Sequence, residues 1–299
     1  MSARDLVTRM LWLLLLAAAL TGSQIAQAQT QRAIPEDNLS YPVLITLKNA
    51  NDLSVGFGSG FYLNTDDAVY LVTAKHVLAA ALPNPITQQI EVPDASLELL
   101  SYSKDVPPQR ILLSLKLSAV SQTGAVKIHS FQDVVVLKIA MIAEAGAGGV
   151  IDKRKIAGVP GVIAKEMAES GLLGVSMEAV KKFDQVLVGN DAILYGYPVS
   201  LALRKNALFD AFHPLLRRAL IAGKDVQQRS IIIDGAVYRG NSGGPVFEID
   251  HEPFQTRFYL IGVLTDFVPL VEGTDDFVFQ LNSGYSVARS MDFVLELIK

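Results

Sequence analysis

The chain from Tyr41 onward alternates between short apolar runs and turn-forming residues. The runs are rich in β-branched and aromatic residues, and Asn-Asp, Asp-Asp and Pro-Pro pairs break them. Short strands separated by such turn signals are typical of β-barrels and β-sandwiches. The runs fall into two blocks, about 40–140 and 186–288, so the pattern predicts two β-rich units.

Helical spacing of apolar residues is confined to two places. Between the β-rich blocks, residues 162–173 and 176–187 show it, with Ser176 as the expected N-cap. At the end of the chain, apolar side chains recur at helical intervals over 291–298, behind Ser290 as a second expected N-cap. The pattern therefore predicts a partly helical segment between the blocks and a closing C-terminal helix.

Residues 1–28 have the layout of a secretory signal peptide. Arg4 and Arg9 precede an uninterrupted apolar run over 11–20, and an A-x-A cleavage site follows at 26–28. The apolar run is too short to span a bilayer comfortably, so no stable membrane span is expected after cleavage. The alternative is an uncleaved signal anchor. We expect export from the cytoplasm, to the periplasm or out of the cell.

Composition narrows the function classes further. Of the 299 residues, 50% are hydrophobic and 19% are charged, which suits one large or two closely packed globular units. The formal net charge of −4 gives no electrostatic basis for a nucleic-acid partner. The chain has no cysteine, which excludes disulfides, thiol catalysis and cysteine-ligated zinc.

The stretch YRGNSGGPVF, residues 238–247, places three glycines and a proline around Ser242. Its Gly-Asn-Ser-Gly-Gly sequence matches the G-x-S-x-G nucleophile elbow of α/β-hydrolases, which needs a helix after the serine and a histidine further on. A strand-like run follows instead, and the only later histidine is His251, in an expected hairpin loop. The elbow is excluded, which leaves a bare turn or another kind of nucleophile.

Catalytic triads also occur in the chain order His, Asp, Ser. His76 lies at the end of an apolar strand, and Asp133 stands at the head of a strand that looks buried. Taken singly, each of the three residues also has a structural explanation. His76 can simply be hydrogen-bonded, Asp133 can be a cap residue, and Ser242 can be part of a tight turn. His129 is a rival base four residues before Asp133, but its surroundings do not match a catalytic histidine motif.

Three motifs together resemble the signatures of chymotrypsin-like serine proteases. They are V-T-A-x-H at 72–76, D-V-V-V-L-K at 133–138 and D-G-A-V-x-x-G-N-S-G-G-P at 234–245. The bacterial HtrA-type branch is the most similar, and the resemblance covers roughly 41–288. Only a short remainder follows this range, so we expect no PDZ domain in this chain.

The resemblance implies an all-β fold of two six-stranded antiparallel β-barrels, with a helical insertion between them and a C-terminal helix. An N-terminal barrel over 29–140 would carry His76 and Asp133. An interdomain segment over 141–185 would be partly helical, and residues 186–299 would form the second barrel and the final helix.

The resemblance also assigns roles to residues. Ser242 would attack a carbonyl, His76 would take and return its proton, and Asp133 would orient and stabilise the imidazole. The backbone N–H groups of Gly240 and Ser242 would form the oxyanion hole. No metal and no organic cofactor is expected. Asn241 replaces an aspartate that pairs with a new N-terminus in digestive members, so activation of that kind is not expected.

The specificity pocket is predicted from the same resemblance. Ala236 would lie at its base, where an acid would select Arg or Lys, so a small or medium apolar P1 side chain is expected instead. Leu264, Thr265 and Tyr285 would form its walls, although Tyr285 can equally be a packed core residue.

Together these features predict an exported serine endopeptidase acting on protein or peptide substrates. One alternative is a hydrolase on the same fold that prefers esters or cleaves a single dedicated protein. The other is a non-enzymatic binding module with a silent triad.

Overall fold

The computed structural model describes residues 40–81, 95–105, 107–142, 150–151, 156–198, 210–252, 255–274 and 277–299. The predicted signal peptide lies outside these ranges. Within them, no helix has the length and apolar character needed to cross a membrane.

The first half of the chain forms one ten-stranded sheet around an apolar core. Its path runs β10-β5-β4-β1-β2-β3-β7-β6, with β9 beside β7 and β12 beside β2. All its pairs are antiparallel except β12 with β2. The strands are β1 (Pro42–Lys48), β2 (Ser54–Asn64), β3 (Ala68–Thr73), β4 (Ser96–Tyr102), β5 (Arg110–Lys116), β6 (Val126–Ile128), β7 (Val135–Ile142), β9 (Ile156–Gly158), β10 (Val162–Glu166) and β12 (Val175–Ser176).

The pairing of β3 with β7 brings two predicted site residues to one edge of this sheet. Every residue of β3 is buried, as its continuous apolar sequence predicts. Because the pair is antiparallel, the end of β3 lies beside the start of β7, with Thr73 opposite Val135. His76 follows β3 in a 3-10 helix, Lys75–Ala81, and Asp133 directly precedes β7.

The second half forms a closed six-stranded antiparallel barrel in the order β13-β14-β15-β18-β17-β16. Ile233, Leu194, Val246 and their neighbours fill its interior. The predicted all-β fold of two units is thus confirmed, and the second unit is the six-stranded antiparallel barrel that was expected. The first unit differs in detail, because it has ten strands in one sheet where six were predicted. The strands are β13 (Asp191–Gly196), β14 (Leu215–Asp225), β15 (Ser230–Asp234), β16 (Pro245–Glu252), β17 (Gln255–Thr274) and β18 (Phe277–Ser290).

The segment between the two units differs from its sequence prediction. The helix expected over 162–173 is wrong, because this stretch begins with β10 and contains β11 (Leu172–Leu173), which pairs with β8 (Val150–Ile151). Over 176–187 there are two single-turn 3-10 helices, Met177–Ala179 and Phe183–Gln185, rather than an α-helix. Ser176 does cap the first of them, since its hydroxyl accepts the Glu178 N–H at 3.4 Å.

Two α-helices complete the described fold, α1 (Leu117–Gln122) and α2 (Met291–Ile298). The predicted C-terminal helix is confirmed as α2. Ser290 occupies its N-cap position, but the hydroxyl makes no capping hydrogen bond, so that part of the prediction is wrong. Although α2 directly follows the barrel strand β18, it packs against β6 and β7 of the first sheet. It therefore links the two units.

A buried charge cluster fastens the joining segment to the barrel. Lys181 Nζ lies 3.2 Å from Glu248 Oε1 and 2.9 Å from Asp250 Oδ2, and Glu248 is fully buried. Asn190 donates a further hydrogen bond to Glu248 at 2.7 Å. Burial opposes the charge of Lys181, but the hydrogen bonds to Asp250 and Glu248 outweigh it and raise the lysine pKa.

Lys181→Met is expected to lower the free energy of unfolding by about 2–3 kcal/mol, because it strands the Glu248 carboxylate without a cation in the interior. Urea denaturation measures this change. Lys165→Met is the matched control, since Lys165 meets Glu98 at 3.3 Å at the surface and should cost under about 1 kcal/mol. Equal losses in the two variants would contradict this account of the cluster.

Candidate active site

His76 and Asp133 form a two-point contact across the edge of the first sheet. His76 Nδ1 lies 2.6 Å from Asp133 Oδ2, and the backbone N–H of His76 donates to Asp133 Oδ1 at 2.9 Å. Both carboxylate oxygens are therefore engaged by one residue. The contact fixes the ring and places the proton of a neutral imidazole on Nδ1, which leaves Nε2 free to accept.

The electrostatics of this pair favour a charged imidazolium. The hydrogen bond that His76 donates to Asp133 is the largest influence on the His76 pKa. Burial opposes it, but the net effect, with smaller contributions from the charges of Asp133 and Asp266, raises this pKa above the ordinary histidine value. Burial is the largest influence on Asp133 and opposes ionisation. The hydrogen bond and charge of His76 nevertheless bring the net pKa of Asp133 below its ordinary value. The pair can thus take up a proton at His76 while Asp133 stays ionised.

Ser242 sits in a turn whose backbone conformation favours glycine on both sides of it. Gly240 has φ +97° and Gly243 has φ +87°, conformations that L side chains rarely adopt. A Cβ on Gly243 would collide with Ser59 O and Thr73 Oγ1 of the first sheet, and one on Gly244 would collide with Tyr195 O. Glycine at these positions therefore allows the turn over 240–244, the serine turn, to pack directly against the first sheet.

Ser59 of β2 holds this turn from the other side. Its hydroxyl donates to Gly240 O at 2.6 Å and accepts the Tyr197 N–H at 3.0 Å, while its own N–H donates to Ser242 O at 2.8 Å. With the Gly240 carbonyl held in this way, the N–H groups of Gly240 and Ser242 have no acceptor among the described residues. Two neighbouring backbone donors are thus available to a bound anion.

The Ser242 hydroxyl donates to Thr265 O of β17 at 3.3 Å rather than to His76. Ser242, His76 and Asp133 nevertheless line one cavity of about 950 Å³. A serine side chain reaches a new partner by rotation about χ1 alone. One cavity therefore brings together a serine hydroxyl, an imidazole and a carboxylate, with the hydroxyl turned toward β17.

The predicted pocket residues divide into two groups. Leu264 and Thr265 line the cavity, whereas Ala236 and Tyr285 are not part of its lining. Tyr285 lies on β18 opposite Asp234 and is exposed. The sequence prediction missed eight lining residues: Phe57, Val237, Tyr238, Arg239, Asp266, Phe267, Pro269 and Asn282. Only Val237, Arg239 and Asp266 adjoin a predicted residue in the chain, and the others carried no local signal.

Asn241 is engaged within its own turn. Its side-chain oxygen accepts the Tyr238 N–H at 3.2 Å, and its backbone N–H donates to Tyr238 O at 3.0 Å. The side chain thus stabilises the turn locally. In the part of the chain that the structure describes, His, Asp and Glu side chains nowhere form a group of three or more that could hold a metal ion.

Comparisons with known proteins give only distant likenesses. No protein-family model matches the chain, and no curated protein matches it. Among solved structures, the serine endoprotease from Yersinia pestis is 13% identical with a TM-score of 0.44, over 89% of this chain and 66% of that one. A variant of the HtrA-type protease AlgW with a tripeptide is 14% identical with a TM-score of 0.43, over 87% and 59%. The chain thus spans less than two thirds of the length of these structures, and likenesses at this level assign no activity.

Proposed function

We propose that the protein is a serine endopeptidase that hydrolyses peptide bonds through an acyl-enzyme, with Ser242, His76 and Asp133 as its catalytic residues. One observation carries the proposal. The His76–Asp133 pair and the turn around Ser242 lie on one cavity although they come from different β-units, and the N–H groups of Gly240 and Ser242 have no acceptor among the described residues. A serine that merely completes a turn, or a histidine that is merely hydrogen-bonded, does not explain why these groups meet at one cavity.

The reaction begins when a substrate carbonyl enters beside the serine turn. Ser242 Oγ releases Thr265 O, turns to His76 Nε2 and attacks the carbonyl carbon as its proton passes to His76. The carbonyl oxygen takes the negative charge, and the N–H groups of Gly240 and Ser242 stabilise it. One such donor contributes about 10²–10³ in rate.

The second half of the reaction returns each group to its starting state. His76 gives its proton to the departing amine as the C–N bond breaks, which leaves an ester on Ser242. Water then attacks this ester, again with His76 as the base, and releases the acid and the free hydroxyl. Asp133 remains ionised throughout and stabilises the imidazolium, in keeping with its lowered pKa.

Within the described residues, β17 has an open edge to which a substrate main chain can bind. The pairing of β16 with β17 ends at Pro245 and Val263, so from Thr265 onward that edge of β17 borders the cavity. An extended peptide can add to such an edge by main-chain hydrogen bonds. Thr265 O, once released by Ser242, becomes an acceptor for the substrate backbone. This route suits a peptide better than a small ester.

A digest of an unfolded protein tests the proposal. New N-termini identified by mass spectrometry should fall at internal peptide bonds, after small or medium apolar residues, in keeping with the apolar side chains of Val237 and Leu264 that line the cavity. A strong preference for Arg or Lys would overturn the proposed pocket. Turnover of p-nitrophenyl esters without any peptide cleavage would favour the ester-cleaving alternative.

A binding module with a silent triad is the second candidate, and one observation favours it. The Ser242 hydroxyl is bonded to Thr265 O at 3.3 Å and not to the histidine. A folded protein that binds peptides but cleaves neither peptides nor esters would support this candidate over the enzyme.

The pH dependence of kcat/KM should report the His76–Asp133 contact. His76 must be neutral to act as base, so activity is lost as the pH falls through its pKa, which the Asp133 hydrogen bond raises above the ordinary value of 6.5. Asp133→Asn should move the acid limb to lower pH and reduce kcat by about 10⁴-fold. A profile from pH 5 to 9 measures both effects, and an acid limb that stays in place would contradict the assignment.

We also propose that the protein is exported to the periplasm or out of the cell, with residues 1–28 as a cleaved signal peptide. The charged start, apolar run and small-residue site support this assignment. The intact mass of the exported protein should correspond to a chain beginning at Gln29, and the full-length mass would support an uncleaved anchor.

A further inference from the structure

The loop that delivers Asp133 is held by a histidine that plays no part in the proposed reaction. His129 starts this loop, and its Nδ1 accepts the backbone N–H groups of Gln132 at 2.9 Å and Phe131 at 3.3 Å. Gln132 directly precedes Asp133. The ring of His129 thus closes the loop one residue before the carboxylate that meets His76.

These contacts fix the tautomer of His129. A ring nitrogen that accepts two N–H groups carries no proton, so in the neutral ring the proton is on Nε2. That nitrogen lies 3.3 Å from Glu296 Oε2 on α2 and donates to it. A hydrogen-bonded chain therefore runs from the C-terminal helix, through the imidazole, to the loop of the first sheet.

Glu296 is itself held in place. Arg229 Nη1 donates to Glu296 Oε1 at 2.7 Å, and its guanidinium lies 4.2 Å from the ring centre of Phe293. The His129 ring meets the same phenyl ring edge-on, with 5.1 Å between centroids. Packing and hydrogen bonds thus restrain both partners of the His129–Glu296 contact.

The backbone of the loop has separate support at its ends. The His129 N–H donates to Val134 O at 3.0 Å, and Lys75 Nζ donates to His129 O at 3.3 Å. Loss of the His129 ring would leave these bonds in place and free the N–H groups of Phe131 and Gln132. The expected consequence is a local shift of the loop and not unfolding.

We propose that His129 and Glu296 are positioning residues, which hold the loop over 129–133 so that Asp133 presents both carboxylate oxygens to His76. The effect of this restraint on catalysis rests on the proposed function, whereas its effect on the contact between Asp133 and His76 does not. A shift of about 1 Å at a reacting group costs up to about 10²-fold in rate, so this small restraint affects turnover. A histidine that is simply a packed surface residue would have no such effect.

Paired variants at both positions test the proposal. His129→Phe keeps a ring against Phe293 but removes the acceptor, whereas His129→Asn can still offer an oxygen to Gln132. Glu296→Leu removes the acceptor for Nε2–H, whereas Glu296→Gln keeps one. We expect kcat to fall roughly 10-fold to 100-fold in the Phe and Leu variants, with KM little changed and partial recovery in Asn and Gln.

A second measurement needs no activity. Titration of His76 by NMR in the folded protein reads its contact with Asp133 directly, because that hydrogen bond raises the His76 pKa. The His76 midpoint should move to lower pH in His129→Phe and Glu296→Leu and stay in place in Lys127→Met. Lys127 meets the same helix end at Lys299 O without contacting the loop, so it is the matched control.

The outcomes separate this inference from the proposed function. If the wild-type protein has no hydrolytic activity, the proposed function is wrong, but the titration of His76 can still be measured. An unchanged His76 midpoint in folded Glu296→Leu and His129→Phe overturns the inference, whatever the activity. Because Glu296 is partly exposed, its variants keep the test valid even if His129→Phe does not fold. If Glu296→Leu lowers only the amount of folded protein, the role is structural and the inference is wrong.

Discussion

Ser242→Ala is expected to lower kcat by about 10⁵–10⁶-fold while the free energy of unfolding stays within about 0.5 kcal/mol of the wild type. The hydroxyl is the only protein group in the proposed mechanism that bonds to substrate carbon, so no other side chain replaces it. Its one hydrogen bond to a described residue is to Thr265 O at 3.3 Å, and the loss of this bond costs little stability. Peptide hydrolysis and urea denaturation of the two proteins measure both quantities.

Ser283→Ala is the matched control for this prediction. The Ser283 hydroxyl also donates to a carbonyl of β17, Val268 O at 2.6 Å, but it is exposed and does not line the cavity. Its removal should leave kcat within about threefold of the wild type. Comparable activity in Ser242→Ala and Ser283→Ala would show that another group is the nucleophile.

Gly243→Ala is expected to destabilise the protein by about 3–5 kcal/mol. Its φ of +87° costs an L residue about 1–2 kcal/mol, and the new Cβ would also collide with Ser59 O and Thr73 Oγ1. Both oxygens belong to the first sheet and are mutually bonded at 2.7 Å, so neither can move aside freely. Urea denaturation of purified protein measures the loss.

Gly124→Ala separates the two causes. Gly124 also has positive φ, +69°, but a Cβ there would meet nothing within 4 Å. It should cost about 1–2 kcal/mol through backbone strain alone. If Gly243→Ala costs no more than this control, the serine turn does not press against the first sheet as described.

The sequence predicted well those features that depend on local pattern. Buried β3 and β7 read as apolar runs, and antiparallel pairing of such runs necessarily places His76 near Asp133. The apolar spacing over 291–298 likewise predicts the C-terminal helix α2. These elements form as their local sequence predicts because few other arrangements would bury the same apolar side chains.

Where the prediction was wrong, tertiary pairing overrode local spacing. Val162 was assigned to a helix, yet it lies opposite Leu115 and begins β10 at the end of the first sheet. Gly161, just before the predicted helix, and Gly171, within it, both have positive φ, which is incompatible with a continuous helix over 162–173. A single sequence does not reveal such partners, because spacing records which residues are buried but not against what.

The sequence indicated that His76, Asp133 and Ser242 lie together, and they do line one cavity, but it did not indicate the contacts that surround them. The turn around Ser242 follows from its glycines, whereas the role of Ser59 depends on a strand 181 residues away from Gly240. His129 was set aside as a base, and its partner Glu296 is 167 residues further along the chain. Contacts of this range depend on how the two units pack, and no local motif encodes them.

A fluorophosphonate probe followed by mass-spectrometric mapping tests the central claim most directly, because such reagents phosphonylate an activated serine and spare ordinary hydroxyls. The account predicts one adduct, on Ser242, in the folded wild type. It also predicts none in His76→Ala, in Ser242→Ala or in urea-unfolded protein. An adduct at another residue, labelling that survives Ser242→Ala, or a folded wild type that takes no label would contradict it.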